Sequence, residues 1–371
     1  MATTFAENML NIGLPLLLIS FAPPLYLYLK SQNTPLAMPD REIDVDSKFT
    51  LLLPVRNEIK NIERKINEIS SLFQGKETKL IVIDSCSTDS TPIKAKEILS
   101  RVDEKFEWEI IETNTLGKSR AINHVLDLIE TKWFIMFDAD SSVKEQSVNL
   151  ILEWSKDPRC GAVCGSQKIS SSSSPYRSRF NIIRSAETFH DSATVFEGAL
   201  CAVRLDALKG EKLKDNMNAD DTQFAHMVRR NGYRAIFESR AFFTDNEPLD
   251  LQYSLKRNIR RSQGLIRTLW SNKDLISIRS KYGRYYAHSF YFYIIFPWLV
   301  LISSSMIVND LSHMIHSFSR ESSIFASLFL IFIILNHSFF STFLNGLFSL
   351  IIAQISLIFG LKYNAWMPHR K

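Results

Sequence analysis

The sequence contains few glycines and few cysteines for its length. Among 371 residues there are 12 glycines and 4 cysteines. The glycines do not cluster, so the Gly-rich phosphate loop expected of a nucleotidyltransferase is missing. Cys86, Cys160, Cys164 and Cys201 are too scattered for a disulfide framework. The pair at 160 and 164 lacks the second ligand pair of a zinc site, and we therefore expect reduced structural thiols.

Charged side chains are absent from three long apolar runs, at residues 8–29, 285–309 and 322–361. By contrast, 76 of the chain's 83 charged residues lie between Lys30 and Arg284. Uncharged apolar runs of about 20 residues match the hydrocarbon core of a bilayer, which excludes a purely soluble protein. With 46% hydrophobic and 12% aromatic residues the chain has enough apolar surface to fold, which excludes intrinsic disorder.

These runs divide the chain into six predicted parts. They are an N-terminal membrane anchor at 1–30, a linker at 31–48, a soluble domain at 49–250, a basic interfacial helix region at 251–284, a C-terminal transmembrane region at 285–361 and a basic tail at 362–371. We expect the anchor to be retained, because no basic stretch precedes it and no small-residue cleavage site follows. Pro23 and Pro24 leave a bent span and a membrane-entering hairpin as alternatives. The uncharged residues 322–361 predict two spans, and one C-terminal segment could be re-entrant.

The basic residues indicate how the chain is oriented. Lys30 follows the first apolar run, whereas only Glu7 precedes it. Between Gln252 and Arg284, nine lysines and arginines face a single acid, Asp274. Because basic residues favour the cytoplasmic side, we expect an integral protein of the cell membrane with a cytoplasmic soluble domain. The place of this basic segment beside an apolar run favours lipid headgroups over nucleic acid as its partner.

The soluble domain alternates between short apolar runs and helical stretches. Buried strands are predicted at 50–53, 79–84, 108–111 and 133–137, and helices at 59–73, 92–102 and 118–130. Strands separated by helices indicate right-handed crossovers and a mostly parallel sheet, which is an α/β fold. Ligands of such sheets bind beyond the carboxyl ends of the strands.

Carboxylates occur at two of these strand ends. Asp84 ends the second strand, and Asp138 and Asp140 follow the fourth. A single aspartate in such a place could equally cap a helix or bind turn amides. Alternation along the chain puts the carboxylates of Asp138 and Asp140 on one side, close enough to share a divalent cation with phosphate oxygens. Carboxylate ligands without histidine or cysteine select Mg²⁺ or Mn²⁺.

Several short motifs follow one another between Leu51 and Gly264. Residues 53–58 read LPVRNE, 82–89 read VIDSCSTD, 117–123 read GKSRAIN and 137–140 read FDAD. Residues 197–200 (EGAL) precede Arg204, and 219–222 (ADDT) precede GYR at 232–234. In this order they resemble the motifs P-x-x-N-E, V-V-D-D-G-S-T-D, G-K-x-x-A-L-N and D-x-D, an acceptor-side loop and E-D-x-x…G-Y-R. These belong to the inverting family 2 glycosyltransferases, in the membrane-embedded branch related to cellulose and hyaluronan synthases.

The resemblance implies a nucleotide-sugar-binding glycosyltransferase type A fold, with transmembrane helices added. It implies that Asp221 is the catalytic base, that Asp140 and Asp138 hold Mg²⁺ or Mn²⁺, and that Asp84 contacts the nucleotide base. The full set of implied nucleotide-sugar contacts is Pro54, Arg56, Glu58, Asp84, Lys118, Asp138 and Arg257. The pair at 220 and 221 would also suit the first turn of a helix continued by Phe224.

The chain departs from the processive members at one motif. Where they carry Q-x-x-R-W, residues 257–261 read RNIRR, so only Arg260 is kept. Arg257 and Arg260 still suit a leaving nucleoside diphosphate, and Arg260 is the predicted catalytic arginine. The missing tryptophan removes an aromatic surface for the acceptor sugar, which argues against long-chain synthesis. Residues 253–271 would also suit an interfacial helix, with Leu255, Ile259, Ile266 and Leu269 on one face.

The implied reaction is a single displacement on a nucleotide sugar, with inversion of configuration. The donor is expected to be a UDP-sugar, with a GDP-sugar as the alternative. The acceptor is a glycan or a lipid, so the enzyme is either a polysaccharide synthase or adds one sugar to a lipid carrier. An inactive membrane scaffold is a further alternative, against which the retained charged site residues argue.

Overall fold

The computed structural model describes residues 2–40, 48–102, 106–168, 174–215, 217–245, 251–314 and 337–361. The strands are β1 (Phe49–Val55), β2 (Thr78–Ser85), β3 (Glu107–Thr113), β4 (Trp133–Phe137), β5 (Ser141–Val143), β6 (Cys160–Gln167), β7 (Leu200–Arg204) and β8 (Arg234–Asp245). The helices are α1 (Ala2–Ser31), α2 (Ile62–Leu72), α3 (Thr91–Leu99), α4 (Lys118–Leu126), α5 (Glu145–Trp154), α6 (Ser174–His190), α7 (Asp220–Arg230), α8 (Leu251–Ser271), α9 (Lys281–Phe290), α10 (Phe296–Met314) and α11 (His337–Ile358).

These strands form one sheet in the order β3-β2-β1-β4-β7-β6-β8-β5. β3, β2, β1 and β4 run parallel, as do β6 and β8. β7 is antiparallel to β4 and β6, and β5 is antiparallel to β8. The predicted strands and helices up to β4 are confirmed. The sheet contains more antiparallel pairs than predicted. One reason is that the connection from β6 to β7 leaves and re-enters the sheet at the same end of the strands, so these two strands run in opposite directions.

The side chains of β1 alternate between two hydrophobic cores. All seven residues of this strand are buried. Leu51 and Leu53 pack on one face with α2, α3 and α5, whereas Leu52 packs on the other with α4 and α7. Because successive side chains of a strand point to opposite faces, a central strand covered by helices on both sides must be apolar throughout. This explains why the strand appears in the sequence as a continuous apolar run.

Three helices within the described ranges are long and apolar enough to cross a membrane. The candidate spans are Ile12–Ser31 of α1, Lys281–Asn309 and Ser341–Ile358 of α11. The second joins α9 to α10 through a π-helical turn at Tyr291–Ile295. α1 is one continuous helix through Pro23 and Pro24 and packs along α10, so the hairpin alternative was wrong. The described residues do not include 41–47 of the predicted linker, 315–336 or the predicted tail at 362–371. The other span predicted in 322–361 therefore falls on residues outside the description.

The predicted interfacial helix is α8, and its apolar face packs against the candidate spans. Ile259, Ile266 and Leu269 are buried together with Tyr286 of α9 and Leu350 of α11. These three apolar positions of α8 are therefore covered by protein, whereas Leu255, the fourth residue of the predicted apolar face, is 38% exposed. This packing holds the basic helix between the sheet domain and the spans.

Candidate active site

The turns after β1 and β2 are held together around Asp84. Asn57 has a φ of 54°, and its Oδ1 accepts hydrogen bonds from the backbone N–H groups of Thr88 at 2.6 Å and Asp89 at 3.3 Å. Asp84 is 3% exposed, and its Oδ2 accepts from the N–H of Ser87 at 2.9 Å. Its Oδ1 is buried and has no hydrogen-bond partner in the described part of the chain. The contact of Asp84 with a nucleobase stays a prediction.

Cys86 lies where the resembled V-V-D-D-G-S-T-D segment has glycine. Its φ of 56° is in the left-handed region, which costs a side-chain-bearing residue roughly 1–2 kcal/mol. Its Sγ donates to the carbonyl oxygen of Thr113 at 3.2 Å. The turn thus keeps its glycine conformation although the glycine is absent.

Pro54, Glu58 and Arg56 differ in how their side chains are placed. Pro54 is buried opposite Ile83, beyond the last β1 residue that pairs with β4, so its missing N–H removes no bond to that strand. Glu58 is 6% exposed and accepts from Nδ2 of Asn61 at 2.8 Å. Arg56 is half-buried between them. These contacts give Pro54 and Glu58 a part in shaping the turn, and their contacts with a nucleotide sugar stay predictions.

Lys118 connects two predicted motifs. It begins α4 directly after Gly117, whose N–H donates to Oγ of Ser85 at 2.9 Å and whose φ of 129° favours glycine. Nζ of Lys118 donates to Oδ1 of Asp138 at 2.8 Å and lies 3.1 Å from Oδ2 of Asp220. Burial alone would lower the pKa of Lys118, but Asp138 and Asp220 outweigh it and raise this pKa well above its usual value. The lysine therefore stays protonated.

Asp221, the predicted base, lies in the first turn of α7. Its Oδ1 accepts from the N–H of Thr222 at 2.7 Å. Gly198 lies against it, because a Cβ added at that glycine would be 3.2 Å from Oδ2 of Asp221. Burial, and then the charge of Asp220, raise the pKa of Asp221 to about 7. This pKa lies well above the unperturbed aspartate value of about 3.9, since burial disfavours the charged form.

Asp245 and Arg261 join this cluster although the sequence motifs did not single them out. Asp245 ends β8 directly opposite Ser141, the residue after Asp140. Nη2 of Arg261 lies 3.6 Å from Oδ2 of Asp245. Burial raises the pKa of Asp245, and Asp140 and Asp138 raise it further against the opposing effect of Arg261. Only the antiparallel register of β5 and β8 brings these distant parts of the chain together.

Two arginines of α8 act on this cluster from the helix that packs against the candidate spans. Arg257 and Arg261 are one helical turn apart, and both lower the pKa of Asp245. Arg260 is half-buried on the same helix. At Gly264 the helix crosses the segment that leads into α7, because an added Cβ would lie 2.5 Å from the carbonyl oxygen of Met217. α8 therefore contacts the backbone that leads to Asp220 and Asp221.

The predicted acceptor-side segment is divided between two places. Glu197 forms ion pairs with Arg184 and, at 3.5 Å, with Arg177. Burial would raise the pKa of Glu197, but these two arginines hold it below its usual value. Arg204 instead pairs with Asp206 at 2.5 Å, away from Glu197. The segment thus contributes Glu197 and Gly198 to the site, and Arg204 supports the fold.

A family model described as "Glycosyl transferase family 2" matches residues 50–237, half of the chain. The chain belongs to glycosyl transferase family 2. The matched range contains the four predicted aspartates of the site, at positions 84, 138, 140 and 221. The sequence-based resemblance to this family is confirmed.

Relatives of this family 2 glycosyltransferase include two staphylococcal proteins. Poly-beta-1,6-N-acetyl-D-glucosamine synthase of Staphylococcus aureus is 24% identical over 237 residues, 61% of this chain and 56% of that protein. The protein of the same name from Staphylococcus epidermidis is 23% identical over 292 residues, 73% of this chain and 69% of that protein. The chain thus spans a little over half the length of the Staphylococcus aureus relative.

A solved mannosyltransferase from Pyrobaculum calidifontis, in complex with GDP-Man and Mn²⁺, has a similar structure. The TM-score is 0.80 at 21% sequence identity, and the likeness covers 95% of this chain and 99% of that one. The two chains therefore share their fold over nearly their whole length. The predicted type A glycosyltransferase fold is confirmed.

The side chains of the site fit a hard divalent cation that is also bound by a ligand. Within the described ranges, no three carboxylate, imidazole or thiol groups lie close enough to hold an ion by themselves. Burial raises the pKa of Asp245 and the charges of Asp140 and Asp138 raise it further, so a cation beside these carboxylates would be stabilised. An all-oxygen set selects Mg²⁺ or Mn²⁺, and phosphate oxygens would complete it.

Proposed function

We propose that this protein is a membrane-bound, inverting glycosyltransferase that requires a divalent cation. It transfers a sugar from a nucleoside diphosphate sugar, a UDP-sugar or else a GDP-sugar, to a lipid-linked or glycan acceptor. The domain at 49–250 works on the cytoplasmic side. The proposal rests on the two contacts of Lys118. This lysine joins Asp138, which follows β4, to Asp220 at the start of α7. These contacts support a donor site and a base that act side by side.

Asp221 acts as the general base. It removes the proton of an acceptor hydroxyl, whose oxygen attacks the anomeric carbon while the nucleoside diphosphate leaves from the opposite face. One displacement inverts the configuration of that carbon. A pKa of about 7 supports this role, because a base is most effective when its pKa lies near the working pH.

The donor is held by groups at the strand ends and on α8. Oδ1 of Asp84 accepts an N–H of the nucleobase, which both uracil and guanine can supply. Arg257, Arg260 and Arg261 bring positive charge to the diphosphate, which gains negative charge as it leaves. When bound at Asp138 and Asp140, Mg²⁺ or Mn²⁺ would neutralise part of that charge.

Two acceptor classes follow from different observations. The name of the staphylococcal relatives favours a polysaccharide and repeated transfer. The sequence RNIRR in place of Q-x-x-R-W favours single-sugar transfer, because Arg261 stands where processive members have tryptophan and is directed at Asp245. Product length separates the two.

The test is a screen of UDP- and GDP-sugars with the purified full-length protein. We expect release of nucleoside diphosphate with Mn²⁺ or Mg²⁺ and none with a chelator. The anomeric configuration of the product, determined by NMR, should be opposite to that of the donor. Asp221→Asn is the matched control, because it keeps the size of the side chain and removes the base. Equal release by this variant and the wild type would refute the proposed mechanism.

A further inference from the structure

Two arginines of α6 share one carboxylate. Arg184 and Arg177 both contact Oε1 of Glu197, and Oε2 of Glu197 accepts from the N–H of Gln167 at 2.6 Å. The group of three side chains therefore carries one positive charge in excess. The side chains of Arg184 and Glu197 are 13% exposed, whereas that of Arg177 is 33% exposed. The excess charge is accordingly accessible at Arg177.

The surroundings of Arg177 do not neutralise this charge. Burial lowers the pKa of Arg177, and so do the neighbouring charges of Arg184 and Arg261. Glu197 and Asp245 act in the opposite direction. Arg177 and Arg184 thus share the single carboxylate of Glu197, whereas Arg261 is paired with Asp245 at 3.6 Å. A further anion would be stabilised there, since charges removed from water need partners of opposite sign.

Arg177 is also near the catalytic base. Its partner Glu197 directly precedes Gly198, and a Cβ at that glycine would lie 3.2 Å from Oδ2 of Asp221. An anion bound by Arg177 would therefore lie on the side of the site from which the acceptor hydroxyl reaches Asp221.

The residues that follow Arg177 on α6 contact two of the candidate membrane spans. The guanidinium of Arg179 lies 5.6 Å from the ring centre of Tyr28, in the span Ile12–Ser31. The ring of Phe180 lies 5.2 Å from that of Phe292, in the span Lys281–Asn309. Arg177 thus lies within one helical turn of two residues that contact these spans, and a lipid headgroup beside the spans can reach it.

We infer that Arg177 binds a phosphate or diphosphate of the acceptor, and that the acceptor is a membrane lipid bearing this group next to its sugar. The inference rests on the proposed function and selects between its two acceptor classes. A guanidinium forms paired hydrogen bonds with phosphate oxygens, whereas the end of a neutral polysaccharide offers only hydroxyls. The proximity of the spans favours a lipid over a soluble phosphate ester.

The experiment measures binding to the full-length protein in detergent, without donor or cation. Farnesyl phosphate, farnesol and inorganic phosphate are the three probes, and binding is followed by intrinsic fluorescence. We expect farnesyl phosphate to bind at least tenfold more tightly than either of the other two. Arg177→Gln should weaken its binding at least tenfold, Arg177→Lys should weaken it less, and Arg179→Gln should change it less than twofold.

Arg179→Gln is the matched control, because it removes the same charge two residues away on the same helix. Arg177→Gln keeps the ion pair between Arg184 and Glu197, so both variants should unfold at nearly the wild-type temperature. Equal weakening by the two variants would show a general effect of charge and overturn the inference. Equal affinity for inorganic phosphate and farnesyl phosphate would overturn the lipid assignment.

The outcome is separable from that of the donor screen. Binding that depends on Arg177 in a protein that releases no nucleotide from any donor would count against the proposed function alone. Normal nucleotide release, together with farnesyl phosphate binding that Arg177→Gln leaves unchanged, would count against this inference alone.

Discussion

Nζ of Lys118 donates to Oδ1 of Asp138 over 2.8 Å. The same ammonium lies 3.1 Å from Asp220, the neighbour of the proposed base. The pKa of Asp221 consequently reflects opposing effects, since burial, Asp220 and Asp138 raise it and Lys118 lowers it. A ligand that draws Lys118 towards its phosphates would change the proton affinity of the base. We therefore expect donor binding and the strength of the base to be linked through Lys118.

We expect Asp221→Asn to lower the rate of sugar transfer by about 100-fold or more, because a general base contributes roughly this much. The affinity for the nucleotide sugar should stay within about twofold, since Asp221 lies on the acceptor side. Single-turnover rates and equilibrium binding of the donor measure the two effects. A variant that binds donor weakly but transfers at the normal rate would make Asp221 a purely structural residue.

Transfer should rise with pH through about 7. Asp221 must be ionised to accept a proton, and its pKa of about 7 means that it is increasingly protonated below that pH. Asp220→Asn should move the acid limb of kcat/KM to lower pH, because it removes the neighbouring negative charge. Lys118→Met should move it to higher pH, because it removes the stabilising positive charge. The pH dependence of kcat/KM for the wild type and both variants measures these shifts, and limbs that coincide would contradict the assignment.

Asp140→Asn should abolish the cation-dependent release of nucleoside diphosphate, because the loss of one anionic ligand weakens a hard-cation site. Titration with Mn²⁺, followed by electron paramagnetic resonance of the free ion, measures binding directly. Asp215→Asn is a suitable control, since Asp215 is an exposed partner of Arg120 at 3.1 Å. Full turnover of Asp140→Asn at low Mn²⁺ would remove Asp140 from the cation site.

The parallel half of the sheet could be predicted from sequence, and the other half could not. β1, β2 and β4 are apolar and rich in branched or aromatic residues, so their pattern is clear. β6 reads CGAVCGSQ, which has no such pattern. Its glycines are required by packing, because a Cβ at Gly161 would lie 2.6 Å from Cβ of Tyr233 and one at Gly165 would lie 2.5 Å from the carbonyl oxygen of Ala241. Close approach, rather than strand propensity, determines this strand.

The residues of the site also divide into those that local sequence identifies and those that it does not. Asp84, Lys118, Asp138 and Asp221 lie in contiguous motifs, so their sequence neighbours identify them. Asp245 and Arg261 have no local signal, because they join the site through the pairing of β5 with β8 and the docking of α8. The pairing of strands so far apart in sequence is fixed only in the folded chain, so no local pattern predicts it.

Arg261→Ala and Arg260→Ala should both lower turnover by at least tenfold, since each removes positive charge available to the leaving diphosphate. Arg267→Ala on the same helix is the control, because Nε of Arg267 donates to the carbonyl oxygen of Gln263, one turn back along α8, at 3.2 Å. The measurement is kcat with saturating donor. A loss in Arg260→Ala but not in Arg261→Ala would restrict the role to the motif position that the sequence indicated.

Glu187 should make the protein less stable as the pH rises towards 7 and beyond. It is 2% exposed, accepts from the N–H of Thr194 at 2.9 Å, and is linked through the hydroxyl of that residue to Ser289 of α9. Burial raises its pKa from 4.5 to about 7. A folded-state pKa above the unfolded one means that the folded protein binds the proton more tightly. The stabilising effect is complete below pH 4.5 and is lost as the pH passes through 7.

Glu187→Gln should remove this loss, because the amide is neutral at every pH and its oxygen can still accept from Thr194. The unfolding temperatures of the variant and the wild type should agree near pH 4.5 and diverge in favour of the variant up to about pH 7. The difference in free energy should be at most roughly 3 kcal/mol, since each pKa unit corresponds to about 1.4 kcal/mol. Thermal unfolding in detergent between these pH values measures it. Parallel curves for the two proteins would mean that Glu187 is ionised in the folded state throughout, and that the contacts of Thr194 and Arg184 compensate for its burial.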